Sequence, residues 1–134
     1  MFSHCLGLYL IIVNEYQYSN NTKYFDGAQK AFEYERYYFN KEAGNWPDFR
    51  IVNRKYGNNI QFSTQWCHGA PGIGLSRLRA YELTKDEKCK QESVIVILTT
   101  IKELNKSISS GNSNYILCHG IGGNTTLLTY AKKV

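Results

Sequence analysis

Cys67, Cys118 and His119 are the residues of this chain whose types combine into definite chemistry. Two thiolates and an imidazole are good ligands for Zn²⁺, and three protein ligands leave one tetrahedral position open, the arrangement of a catalytic rather than a structural zinc. No Cys-x-x-Cys pair is present, so the ligands have to come from two separate loops that the fold brings together. On spacing alone, buried cysteines without a metal remain the competing reading.

The two loops belong to a self-similar unit. Cys67-His68-Gly69-Ala70-Pro71-Gly72 and Cys118-His119-Gly120-Ile121-Gly122-Gly123 repeat the same order, and Ser3-His4-Cys5-Leu6-Gly7 is a looser third copy. Each precedes a stretch with helical character. Recurrence of this kind is the trace of stacked helical hairpins, each burying its face against its neighbours. The glycines allow tight turns and close backbone approach. No Lys-Ser or Lys-Thr pair follows Gly74, which argues against a phosphate loop.

The elements that must position these loops read as five helices with little sheet. Phe2 to Tyr16 is densely apolar and suits a buried helix. After a turn at Ser19 to Thr22, Phe25, Ala28, Ala31, Phe32 and Phe39 fall near helical spacing. Lys41 to Thr64 has no sustained period and reads as a long connection, with a short strand at Phe49 to Val52. A helix opened by Pro71 runs to about Leu83, and Thr84 to Glu87 reads as the capping box of the next. That helix carries Val94, Ile97, Leu98, Ile101 and Leu104 on one expected face. Ser107 to Asn114 is a polar loop, and Asn124 is expected to cap a last helix bearing Leu127, Leu128 and Ala131. Trp46 and Trp66 read as core residues, and Cys89, between Lys88 and Lys90, as exposed.

Composition bounds the rest. At 134 residues and 15.4 kDa the chain is one domain's worth, and 43% apolar with 20% charged residues is globular rather than disordered. The formal charge of +5 is spread without a basic block, and the 11 tyrosines form no stacking motif, so nucleic acid is not an expected partner. Four cysteines raise the alternative of a secreted two-disulfide domain. The apolar run Leu6 to Val13 lacks a preceding Lys or Arg and is followed by Asn14-Glu15, unlike an export signal. No stretch is long enough for a transmembrane segment. The expected setting is reducing and cytoplasmic.

The run from Gln65 through Cys67-His68-Gly69-Ala70-Pro71-Gly72 to Leu78, followed by Leu117-Cys118-His119-Gly120 and Gly123-Asn124, strongly resembles the zinc-site segments of the lanthionine synthetase C-like family. Phe32-Glu33-Tyr34-Glu35-Arg36 and Glu42-Ala43-Gly44-Asn45-Trp46-Pro47-Asp48 resemble in particular the cyclase domain of class II lanthipeptide synthetases. The resemblance implies an all-α fold, part of an α/α toroid of helical hairpins whose glycine-rich loops meet around zinc held by Cys67, Cys118 and His119. It implies addition of a peptide cysteine thiol to dehydroalanine or dehydrobutyrine, with a dehydrated precursor peptide as partner. His68, next to a proposed ligand, is a candidate acid for the resulting enolate or else packs beside the site. His4 resembles the histidine of the family's Ser-His-Gly segment, which implies a catalytic acid/base role for it, although Cys5 stands where the family has Gly. Residues 1–134 are expected to correspond to the C-terminal part of such a cyclase domain. Such an incomplete segment is expected to be inactive alone and to need the N-terminal part of the synthetase. A non-catalytic zinc-containing module that binds thiols or peptides is the alternative.

Overall fold

The computed structural model describes residues 14–15, 18–19, 21–49, 60–111 and 113–134. Among them the chain is all-α, with four helices and no named strand: α1 (Thr22–Tyr38), α2 (Ala70–Thr84), α3 (Glu87–Ser109) and α4 (Ile121–Ala131). Positions 2–13 and 16 of the expected first helix, His4 and Cys5 among them, lie outside the described residues, as do positions 50–52 of the expected strand. None of the four helices is long and apolar enough to cross a membrane.

Helix α1 starts where Asn21 caps it, its side chain accepting from the Lys23 amide at 3.1 Å. Ala28, Phe32 and Glu35 make its buried face. Helix α2 begins at Ala70 with Pro71 in its first turn, where a missing N–H costs nothing. It ends on Lys85 at φ 57°, whose amide returns to the Tyr81 carbonyl at 2.8 Å. This left-handed residue reverses the chain and corrects the expected capping box. Thr84 is the last residue of α2, its hydroxyl donating to the Ala80 carbonyl, while Asp86 caps α3 by accepting from the Lys88 amide. Asn124 is also corrected: α4 starts three residues ahead of it, and its side chain is used elsewhere.

Helix α3 is helical as the spacing predicts, and of its expected face Leu104 is buried and Ile97 packs on the core, but the buried stripe is rotated away from the other expected residues. Cys89, Ser93, Val96, Thr100 and Leu104 are buried, whereas Val94 is 53% and Leu98 62% exposed. Two of the inward residues are polar and satisfy themselves within the helix. The Ser93 hydroxyl donates to the Cys89 carbonyl and that of Thr100 to the Val96 carbonyl, both at 2.7 Å. A hydroxyl bonded this way presents mainly its carbon atoms to the core.

The core has three centres. Leu75, Leu78 and Leu127 join α2 to α4, with Trp66 and Ile97 against them. Phe32, Ala80 and Cys89 dock α1 on α2 and α3. Trp46, Ala70 and Val96 bring the connection after α1 onto the start of α2. Trp46 is buried, as the sequence suggests, and donates from Nε1 to the Glu35 carbonyl at 2.6 Å.

Cys89 is buried, against its expected exposure, because its lysine neighbours leave the helix on other sides. Burial pushes its thiol up to about 11. The unfolded thiol ionises first, so this group favours the folded state below about pH 9 and ceases to do so by about pH 11. Urea midpoints are expected to show roughly 2 kcal/mol lost across that range, a loss missing from Cys89→Ala.

Candidate metal centre

Cys67 and His68 lie in a turn just before α2. The Gln65 amide donates to the His68 carbonyl at 2.9 Å, and the His68 amide returns to the Gln65 carbonyl at 3.0 Å. Gly69 follows at φ 98°, where a Cβ would fall 1.8 Å from the Ser63 carbonyl oxygen. Only glycine fits this crossing, and it sets the direction in which α2 leaves the turn.

Cys118 and His119 lie in the corresponding turn before α4. The Ile121 amide donates to the Asn114 carbonyl at 2.7 Å, closing this loop on itself. At Gly123 a Cβ would meet the Leu117 carbonyl oxygen at 1.7 Å and Trp66 Cβ at 2.6 Å, so α4 packs against both loops only because that side chain is absent. Two bonds lock the loops together. The Cys67 amide donates to the Cys118 carbonyl at 3.4 Å, and Asn124 Nδ2 donates to the Thr64 carbonyl at 2.9 Å. Asn124 is buried and joins α4 to the chain leading into the first loop.

The result is convergence of the three expected ligands. One ligand atom each from Cys67, Cys118 and His119 lies within 4.8 Å of the others, and Cys118 Sγ is 3.7 Å from His119 Nε2. A tetrahedral ion with metal–sulfur bonds of about 2.3 Å and metal–nitrogen bonds of about 2.0 Å places neighbouring ligands about 3.5 to 3.8 Å apart. The donor set and the spacing therefore suit a metal ion. Cys67 and Cys118 stand at intermediate burial, and His119 is exposed, which leaves an approach from solvent.

His68, between them in sequence, is not among the converging ligands. Its Nε2 is 3.4 Å from Asp48 Oδ1, with the Asp48 side chain 0% and the His68 side chain 10% exposed. Asp48 comes from the connection after α1, to which sequence reasoning assigned no chemistry. Beside it Asn45, also buried, organises the approach to α2. Its Oδ1 accepts from the Trp46 and Ala70 amides at 2.9 Å each, and its Nδ2 donates to Thr64 Oγ1 at 2.9 Å and the Ser63 carbonyl at 3.2 Å. An acidic residue set between Trp46-Pro47 and Phe49 was the available signal, since a carboxylate amid aromatic residues needs a partner when buried.

Beneath the first loop runs an ion network. Arg77, 1% exposed, donates from Nη2 to Glu35 Oε2 at 2.8 Å and from Nε to Glu92, and its guanidinium lies 3.8 Å from the centre of the Phe32 ring. Arg36 adds a second arginine to Glu92. Burial raises the Glu35 carboxyl above the usual carboxylate range, and Arg77 opposes that rise.

Comparison with known proteins agrees with this geometry. The lanthionine synthetase C-like protein family matches residues 2–134. The lacticin 481/lactococcin biosynthesis protein LcnDR2 of Lactococcus lactis subsp. lactis is 28% identical over 126 residues, covering 91% of this chain and 13% of that protein. This chain thus spans a small part of its curated relative. No solved structure matches.

Proposed function

Because the chain belongs to the lanthionine synthetase C-like family, we propose that it is a zinc-dependent cyclase segment of lanthipeptide biosynthesis, joining peptide cysteines to dehydroalanine or dehydrobutyrine as thioether rings. The observation that carries this reading is the approach of Cys67, Cys118 and His119 to within 4.8 Å across two helix-opening loops. In this reading the segment is one part of an α/α toroid, and its partners are a dehydrated precursor peptide and the N-terminal part of the synthetase.

Cys67, Cys118 and His119 would hold the zinc. The chemistry that zinc supplies when bound is an open position at which a thiol, with an ordinary pKa of about 8.5, is deprotonated at neutral pH. The thiolate sulfur bonds to the β-carbon of the dehydro residue, and the alkene electron pair moves onto the carbonyl to give an enolate. Return of a proton to the α-carbon completes the ring with no net change in composition. His68 is assigned that proton transfer, since imidazole exchanges protons readily near neutral pH.

The test is incubation of the zinc-loaded protein, with the upstream cyclase segment supplied, with a peptide carrying a dehydroalanine and a cysteine. Free thiol is expected to disappear without change in peptide mass. His68→Gln is expected to slow this on the order of a hundredfold while zinc content is retained. Bound zinc with no thiol loss in the unaltered protein would overturn the cyclase reading in favour of a thiol- or peptide-binding module.

A further inference from the structure

We propose that Cys67 and Cys118 join as a disulfide when zinc is absent, so that a low-molecular-weight disulfide such as oxidised glutathione closes the candidate metal site and a thiol reductant reopens it. The zinc half of this switch rests on the metal reading given above; the sulfur half stands on geometry alone. The two sulfurs lie within 4.8 Å of each other, on loops joined by the bond from the Cys67 amide to the Cys118 carbonyl at 3.4 Å. A bond between those two main chains brings them to about the spacing of paired strands, where Cα atoms are about 4.5 to 5.5 Å apart. Disulfides span Cα separations of about 4.4 to 6.8 Å. What remains is rotation of two side chains, which has to bring the sulfurs to about 2.05 Å. Both side chains stand at intermediate burial rather than locked in the core. The loops hold their spacing by protein contacts, since Asn124 ties α4 to Thr64 at 2.9 Å and Gly123 lets α4 lie against Leu117 and Trp66.

Thiol–disulfide exchange balances with oxidised glutathione as its only co-reactant. One cysteine sulfur attacks a glutathione sulfur, releasing one glutathione thiol and leaving a mixed disulfide. The other cysteine sulfur then attacks its neighbour and releases the second glutathione thiol. Both cysteine hydrogens end on glutathione, and the electron pair lost by the two cysteine sulfurs reduces the glutathione disulfide. Zinc opposes both steps, because a sulfur that has given its electron pair to a metal is a poorer attacker. The opposition is mutual, since sulfurs bonded to each other no longer offer thiolates to zinc. Cys89 is a poor competitor for either partner: it is 1% exposed among α1, α2 and α3, and burial pushes its thiol up to about 11.

The experiment takes the full chain, reduced and stripped of metal with a chelator, and adds oxidised glutathione. The expected product is two hydrogens lighter than the reduced chain, carries no glutathione, and shows Cys67 linked to Cys118 when its proteolytic fragments are weighed. With zinc at about 100 times its dissociation constant, the reaction is expected to slow on the order of a hundredfold, in step with the share of chains left without metal. Cys118→Ala is expected to stop with glutathione carried on Cys67; the mapping itself is done on the unaltered chain and does not depend on that variant. A link through Cys5 or Cys89, or glutathione held on both Cys67 and Cys118, would overturn the pairing. Equal rates with and without zinc, in a chain shown by metal analysis to hold it, would end the mutual exclusion. About one zinc per chain with no link formed in its absence defeats this proposal and leaves the metal reading standing. The reverse, a link between Cys67 and Cys118 in a chain that takes up no zinc, keeps the bond but removes both the switch and the metal reading.

Discussion

Cys118→Ala is expected to lower zinc affinity on the order of a thousandfold, so that dialysis against a weak chelator strips the variant and leaves the unaltered chain loaded. Apparent zinc binding energies of about 10 to 16 kcal/mol, shared over few protein ligands, assign about 4 kcal/mol to each. The substitution removes one sulfur and leaves Cys67 with the solvent-exposed His119. It does not remove the scaffold. The bond from the Cys67 amide goes to the main-chain carbonyl of residue 118, and Asn124 still reaches Thr64, so the loops keep their relative placement. The expected signature is a protein with unchanged helical content and no metal. Cys89→Ala is the matching control, because Cys89 lies between α1, α2 and α3 and should keep the metal. Metal content settles the matter: a Cys118→Ala protein with wild-type zinc after dialysis would remove this residue from the ligand set.

The second large effect concerns stability. Arg77→Met is expected to cost about 3 to 5 kcal/mol, because it strands the buried Glu35 carboxylate and withdraws one of the two arginines on Glu92. That is a large share of the roughly 5 to 15 kcal/mol typical of a domain. Methionine preserves length and contact with Phe32, so the loss measured is mainly of charge rather than of volume. The effect has a pH signature with a definite sign. Burial already raises Glu35, and Arg77 is the main influence holding it down, so its removal raises the folded-state carboxyl further. A carboxyl raised by folding weakens the folded state as pH climbs above the unfolded value of 4.5. The gap between Arg77→Met and wild type should therefore narrow as pH falls from neutral toward that value. Urea midpoints at the two pH values test it, and a gap independent of pH would assign the loss to packing.

The sequence makes the helices legible because periodicity survives in them: Phe32 and Ala28 mark the inward side of α1 as their spacing predicts. It misleads where polar residues can enter the core at little cost. Val94 and Leu98 advertise a face of α3 that points outward, while Ser93 and Thr100 point inward with their hydroxyls bonded within the helix. The caps were misplaced for a local reason, since a left-handed Lys85 shifts the start of α3 to Asp86. At the candidate metal site, residue type, repeat position and the family resemblance pointed to Cys67, Cys118 and His119, three residues whose ligand atoms the fold brings within 4.8 Å of one another. Asp48 could not be found that way. Its meeting with His68 depends on how the stretch from Asn45 to Asp48 folds back on Gln61 and Ser63, a long-range outcome that no local spacing encodes.

The main-chain bond between residues 67 and 118 has a topological side. Those positions bound the stretch holding α2 and α3, so an ion gripping both thiolates turns that stretch into a lasso with α4 attached at its knot. Closing a loop of roughly 50 residues by a permanent link restricts the unfolded chain by about 4 kcal/mol on the chain-entropy relation. Chelation would then lower the folded chain's resistance to unfolding without moving its loops, coupling the supply of metal to the lifetime of the polypeptide.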